Sequence, residues 1–139
     1  MTAPELTGVY LFVRDMDTSV AFYERLGLTI TRAGQHFASA SQPNGLALSF
    51  GTAALTRGYD PNWSEPGGPS TNTLNFTLES RDAVDAMYEE LVTAGYIGHL
   101  SPIDAFWGSR FAIVDDPDGN LVGLHSPVDP ARGGPPPVT

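Results

Sequence analysis

The chain contains no cysteine and no lysine. Without thiols it forms neither disulfides nor thiolate metal sites, so its stability rests on packing and hydrogen bonding. Without lysine, all seven basic residues are arginines, set against sixteen acidic ones for a formal charge of −9. Nucleic-acid backbones are held by clustered Lys and Arg, so this balance argues against a nucleic-acid partner. Long apolar runs are missing too. None approaches the roughly 20 residues of a membrane-spanning helix, and no membrane partner is expected. The opening stretch MTAPELTGVY has no basic region followed by an apolar one, so no signal peptide is expected and the cytoplasm is the simplest compartment. An acidic chain of this kind suits a neutral or cationic small ligand.

What is present is an ordered alternation of strand and helix patterns. At 139 residues and 41% hydrophobic content there is enough apolar material for one folded domain. Residues 8–13 (GVYLFV) read as a strand, and Asp17 as the N-cap of a helix over 18–26, with Val20, Tyr23 and Leu26 at helical spacing. Gly27 ends that helix. Residues 28–32, 36–41 and 46–50 read as three short strands, the last two joined by the turn Gln42-Pro43-Asn44-Gly45. Residues 51–72 are rich in Gly and Pro, carry one isolated aromatic, Trp63, and are expected to be a long connection.

The order then repeats. Residues 73–79 (TLNFTLE) alternate as a strand, and Ser80 caps a helix over 81–94 with a stripe of Val84, Met87, Tyr88 and Leu91. Gly95 stops it, and 97–103 form a strand. Residues 110–115 and 121–125 form a hairpin around Asp116-Pro117-Asp118-Gly119. The tail 128–139 is expected to be disordered. A shift of 65 residues places Asp17 on Asp82, Ala21 on Ala86, Tyr23-Glu24 on Tyr88-Glu89 and Leu26 on Leu91. A shift of 74 places His36-Phe37-Ala38 on Arg110-Phe111-Ala112 and Gln42-Pro43-Asn44-Gly45 on Asp116-Pro117-Asp118-Gly119. The ordered set of matches indicates a duplicated β-α-β-β-β unit with one insertion between Gly95 and Trp107.

With this repeat, the strings VRDMDTSVAFYERLGL and FWGSRFAIVDDPDGNLVGL resemble the vicinal oxygen chelate superfamily, which groups glyoxalases, bleomycin-resistance proteins and extradiol dioxygenases. The resemblance runs from about Leu6 to Pro127. It implies an α+β fold in a single domain. Two tandem modules, 6–50 and 73–127, would form a curved eight-stranded mixed sheet with helices on the convex face. A ligand would lie in the concave groove, and the chain would be a homodimer. Metal-using members carry His, Gln or Glu at four symmetric positions, and these fall on Gly8, Ser49, Thr73 and Gly123 here. None is an imidazole or carboxylate, so the expectation is no metal and no cofactor. A shifted site drawing on His125, His36 and Asn75 is the alternative.

Strand parity places Gly8, Tyr10 and Phe12, with Thr73, Asn75 and Thr77, on the groove side. Ala47, Ser49, Leu121, Gly123 and His125 join them. The expected ligand-binding set is Tyr10, Phe12, Ser49, Trp63, Asn75, Thr77, Phe106, Trp107, Arg110 and His125. Arg110 either hydrogen-bonds across the sheet or anchors a ligand carboxylate. Apolar walls with a few orienting polar groups describe a small-molecule site. The leading expectation is a metal-free binding protein of the bleomycin-resistance type, sequestering a hydrophobic or cationic ligand such as an antibiotic or secondary metabolite. The alternative is an enzyme of the same fold, an isomerase, lyase or dioxygenase-like protein, with His125 and His36 as the only catalytic candidates.

Overall fold

A computed structural model describes residues 2–138 of the chain, which divides into two compact units, one running to Gly68 and the other starting at Pro69. The first unit contains β1 (Gly8–Phe12), α1 (Met16–Leu26), β2 (Thr31–Ala33), β3 (Phe37–Ser41), β4 (Ala47–Gly51) and α2 (Ala53–Tyr59). The second contains β5 (Thr73–Thr77), α3 (Arg81–Thr93), β6 (Gly98–Asp104), β7 (Arg110–Asp115), β8 (Leu121–His125) and a 3-10 turn at Pro130–Arg132. All eight expected strands are present, in two four-stranded mixed sheets. Their orders, β1-β4-β3-β2 and β5-β8-β7-β6, are identical between the units. In each, the first and last strands pair in parallel while the others run antiparallel. The duplicated α+β unit read from the sequence is therefore a duplicated topology.

Each sheet buries one face under its own helix. In the first unit α1 buries Met16, Val20, Phe22, Tyr23 and Leu26 on the side of Ala38, Ala40, Leu48 and Phe50, which are also buried. Tyr23 sits 5.0 Å from Phe50, ring to ring, and each such aromatic contributes roughly 1.5–3 kcal/mol by leaving water. In the second unit the buried apolar side chains between helix and sheet are Val84 and Leu91 from α3, and Ala112, Val114, Val122 and Leu124 from the sheet. The helix stripe expected there is thinner than drawn, because Met87 and Tyr88 are only half-buried.

Three local expectations are corrected. Asp15 caps α1 in place of Asp17. It is the extended residue (φ −137°, ψ 112°), and its Oδ1 accepts the Thr18 N–H at 2.9 Å. Asp17 lies in the first turn and pairs with Arg32 at 2.6 Å. The connection 51–72 is not plain loop, since Thr52 caps the seven-residue α2. The tail expected to be disordered carries the 3-10 turn, capped by Asp129, and bonds back to the loop before β7. The Asp116 turn behaves as expected: Asp116 is buried, its Oδ1 accepts the Asp118 and Asn120 N–H groups, and its Oδ2 accepts Asn120 Nδ2–H, all at 2.9 Å. Gly119 takes the positive φ of 86° that closes this turn.

Candidate functional site

The face of each sheet turned away from its helix is set by strand register. In the second unit Asn75 lies beside Gly123, Thr77 beside His125, and Phe111 beside His125 from the other flank. Side chains at these positions share one face, because alternation is strict along a strand. Together with Trp107 they shape a concavity of 230 Å³ lined by Thr73, Asn75, Trp107, Phe111 and His125. Its walls are aromatic. Trp107 stands edge-on to Phe111 at 5.0 Å, Phe106 backs Trp107 at 5.2 Å, and His125 is tilted against Phe111 at 6.4 Å.

Gly123 makes the floor possible. A Cβ there would collide with the Asn75 amide oxygen and lie 3.2 Å from Phe111 Cε1, so only glycine lets the Asn75 amide lie across the strand. The polar groups in the concavity are the Thr73 hydroxyl, the Asn75 amide and the His125 imidazole, and no lining side chain is a carboxylate or a guanidinium. The His125 Nδ1 is buried without a hydrogen-bond partner. Recognition by this ring therefore falls to Nε2, on its opposite edge. Burying a polar atom unpaired is unfavourable, and among the described residues Ser109 Oγ and Asp115 Oδ1 share this condition outside the concavity.

The same positions in the first unit are built differently. The shifts of 65 and 74 residues map Asn75 onto Tyr10, Phe111 onto Phe37, and His125 onto Gly51. The Tyr10 phenol lies over Gly51, where a Cβ would collide with it. Its hydroxyl meets the buried Thr56 Oγ1 at 2.9 Å. Thr56 donates its own hydroxyl proton to the Thr52 carbonyl, which leaves Tyr10 as the donor to Thr56. Tyr59 closes on Tyr10 edge-to-face at 6.0 Å, and desolvation, followed by a hydrogen bond to the Tyr10 hydroxyl, raises the Tyr59 pKa. Helix α2 thus occupies the counterpart of the second unit's concavity.

The remaining expected site residues fall as follows. Ser49 is half-buried beside Tyr10 in the first unit. Phe12 packs tilted against Trp63 at 4.9 Å, with Arg14 over Phe12 at 5.3 Å and Arg57 over Trp63 at 5.1 Å. Trp63 therefore has a local packing partner that its Gly/Pro-rich context hid. Thr77 is exposed next to His125 without lining the concavity. Of the two roles open to Arg110, the structure places it across the sheet. It shares the helix-side face with Ala112 and Val114, and its Nε donates to Asp85 Oδ1 at 2.8 Å. That bond holds the guanidinium above its ordinary pKa. Arg110 and Arg81 both reach Asp104, so Arg110 is corrected from ligand contact to a tie between α3, β6 and β7. His36 bonds Thr52 Oγ1 through Nδ1 at 2.7 Å in the first unit, and His99 approaches Asp115 at 3.3 Å in the second. Phe111 was not anticipated as a wall, although its alignment with Phe37 and the alternation along 110–115 carried the signal.

The four positions that the resemblance assigns to metal do not fit one. Gly8 and Gly123 have no side chain, and Ser49 and Thr73 offer only neutral hydroxyls. The Asn75 amide already lies across Gly123. Among the described residues no group of three or more His, Asp or Glu is gathered as a metal site.

Comparison with known proteins agrees with this geometry. Residues 5–124 match the model of the Glyoxalase/Bleomycin resistance protein/Dioxygenase superfamily. The chain is similar to the crystal structure of a glyoxalase/bleomycin resistance protein/dioxygenase from Nocardioides, at 26% identity and a TM-score of 0.74, over 100% of this chain and 91% of that one. A glyoxalase-related enzyme from Fulvimarina pelagi shares the fold at 21% identity and a TM-score of 0.78, over 95% and 96%. A family enzyme from Burkholderia phytofirmans PsJN does so at 22% identity and a TM-score of 0.77, over 88% and 98%. A search of curated protein sequences gives no match.

Proposed function

The chain belongs to the Glyoxalase/Bleomycin resistance protein/Dioxygenase superfamily, and from that premise we propose that it is a metal-independent small-molecule binding protein. Its ligand is a planar, largely apolar molecule held in the concavity of the second unit. The observation that carries this reading is the lining itself: Trp107 and Phe111 as walls, with Thr73, Asn75 and His125 as polar groups and no carboxylate or guanidinium. Aromatic walls favour a ring that stacks or meets them edge-on. The absence of a carboxylate from the lining favours a neutral ligand over a cation. The volume of 230 Å³ lies just below the range of drug-sized pockets, which begins at about 300 Å³, so one or two fused rings suit it. An antibiotic or secondary metabolite of that size fits the chemistry. Because Tyr10 and α2 fill the first unit's counterpart, one ligand per chain is expected. The chain works as a homodimer in this reading, and the cytoplasm is its expected place.

Native mass spectrometry of gently purified protein tests the reading. A dimer carrying an organic adduct and no stoichiometric metal is the expected spectrum, with the adduct lost in Trp107→Ala. A stoichiometric divalent metal in the wild-type spectrum would overturn it. A second reading rests on His125, the only titratable side chain lining the concavity. If the chain is an enzyme, His125→Gln abolishes turnover while leaving adduct retention intact. If it is a binding protein, the same variant weakens retention.

A further inference from the structure

We infer that the C-terminal segment 129–134 is a strap that positions Trp107, and through it sets the affinity of the site, without touching the ligand. This rests on the proposed binding role of the second unit's concavity, although the positioning itself can be tested without any ligand.

The wall residue Trp107 sits in a tight turn between β6 and β7. That turn has few bonds of its own: Gly108 N–H donates to the Ala105 carbonyl at 3.0 Å, and Ala105 N–H donates to the Ser109 carbonyl at 2.9 Å. The Phe106 and Trp107 side chains are substantially exposed, at 41% and 36%, so core packing does not fix them. The strap supplies what is missing. Asp129 N–H donates to the Gly108 carbonyl at 3.0 Å, and Gly134 N–H donates to the Phe106 carbonyl at 2.7 Å. The two bonds fall on either side of Trp107.

The approach is close on both sides. Gly108 has φ of 102°, and a Cβ there would collide with the Asp129 carbonyl, so the turn demands glycine for its conformation and for the passage of the strap. A Cβ on Gly133 would lie 3.6 Å from the Trp107 carbonyl. The strap is also ordered from within. Asp129 Oδ1 accepts the Ala131 N–H at 3.0 Å, Asp129 Oδ2 pairs with Arg132 at 3.3 Å, and Gly133 N–H closes on the Pro130 carbonyl at 3.2 Å. Pro130 has its φ fixed by its ring, which lowers the entropy lost on ordering at that one residue. Gly133 and Gly134 lose more, so their hydrogen bonds are what hold them. Just before the strap the chain continues the β8 ladder: Ser126 N–H donates to the Arg110 carbonyl, and Ser126 Oγ accepts the Arg110 N–H. The strap thus leads from the strand that carries His125 to the turn that carries Trp107.

Two variants test this in a Trp63→Phe background, which leaves Trp107 as the only tryptophan. One is the chain ended after Val128. The other is Gly134→Pro in the full chain. It replaces the N–H that bonds Phe106 with a ring methylene that cannot sit against that carbonyl, while Gly133 before it already holds the extended ψ of 154° that a residue preceding proline adopts. Both variants are expected to keep the wild-type far-ultraviolet circular dichroism, while Trp107 emission moves to longer wavelength and acrylamide quenches it more. Calorimetric titration with 1-naphthol should show affinity lowered roughly two- to tenfold, the factor for ordering one side chain on binding. Unchanged Trp107 emission and quenching in both variants overturns the strap. If Trp107 responds as expected but the parent protein takes up no 1-naphthol, the strap stands and the proposed binding role fails for this probe class.

Discussion

Gly123→Ala separates the site from the fold. Gly123 is not among the glycines with positive φ, so alanine meets no backbone strain. Replacing a glycine whose conformation alanine can adopt stabilises by about 0.4–1 kcal/mol through the unfolded chain. Against this, the new methyl would overlap the Asn75 amide oxygen and sit 3.2 Å from Phe111 Cε1. The amide is the free end of an exposed side chain, so it swings away, and Phe111 gives by a few tenths of an ångström. The two effects nearly cancel, leaving stability within about 1 kcal/mol of wild type, or about 4 °C in Tm for a chain of this size. Binding does not escape. The displaced amide moves into a space of only 230 Å³, and the ligand loses a hydrogen bond of about 0.5–1.5 kcal/mol together with volume. We expect affinity for 1-naphthol to fall about tenfold, read by titration calorimetry beside a thermal melt. The double variant Gly123→Ala/Asn75→Ala removes the collision and should regain part of the loss. A stability loss above about 2 kcal/mol would show that Asn75 is anchored. Unchanged affinity at unchanged stability would show that no ligand rests on that floor.

Tyr10→Phe removes the donor to the buried Thr56 hydroxyl and should lower unfolding free energy in urea by about 1 kcal/mol, with no change in 1-naphthol affinity, because Tyr10 belongs to the filled unit. Asp116→Ala breaks three hydrogen bonds to one buried carboxylate and should destabilise by about 2–3 kcal/mol. Asp116→Asn keeps an acceptor for the two backbone N–H groups and should lose less than half as much; equal losses would refute the turn assignment. Asp15 has its pKa lowered below 3.8, chiefly by the Thr18 backbone N–H. Its contribution is therefore complete above the unfolded value and fades as pH falls through the lower folded one. Asp15→Ala should be less stable than wild type at pH 7, with the gap closing as the pH drops below about 3.8. A gap independent of pH would rule out the cap.

Much of this protein is written in local pattern. The strand alternation in 73–79, the Ser80 cap, the Asp116–Gly119 turn and the offset repeats each depend on residues near in sequence, and repeated modules reinforce the reading. Parity alone placed Asn75, Gly123 and His125 on one face, because side-chain direction along a strand has a period of two. Elsewhere the sequence pattern pointed to the wrong neighbour, as with Asp17 for the α1 cap, and only the backbone conformation identified Asp15. What tertiary structure alone decided is which of two duplicated faces stays open. Tyr10 and Asn75 are both plausible ligand contacts by pattern. The difference lies in a long-range bond from Tyr10 to Thr56, on a helix that Gly58 and the flanking Gly/Pro residues made illegible. Arg110 was undecidable for the same reason, since its partner Asp85 is 25 residues away. The tail at Asp129 read as disorder because its bonds run to Phe106 and Gly108, and composition carries no record of where a backbone N–H will find its acceptor.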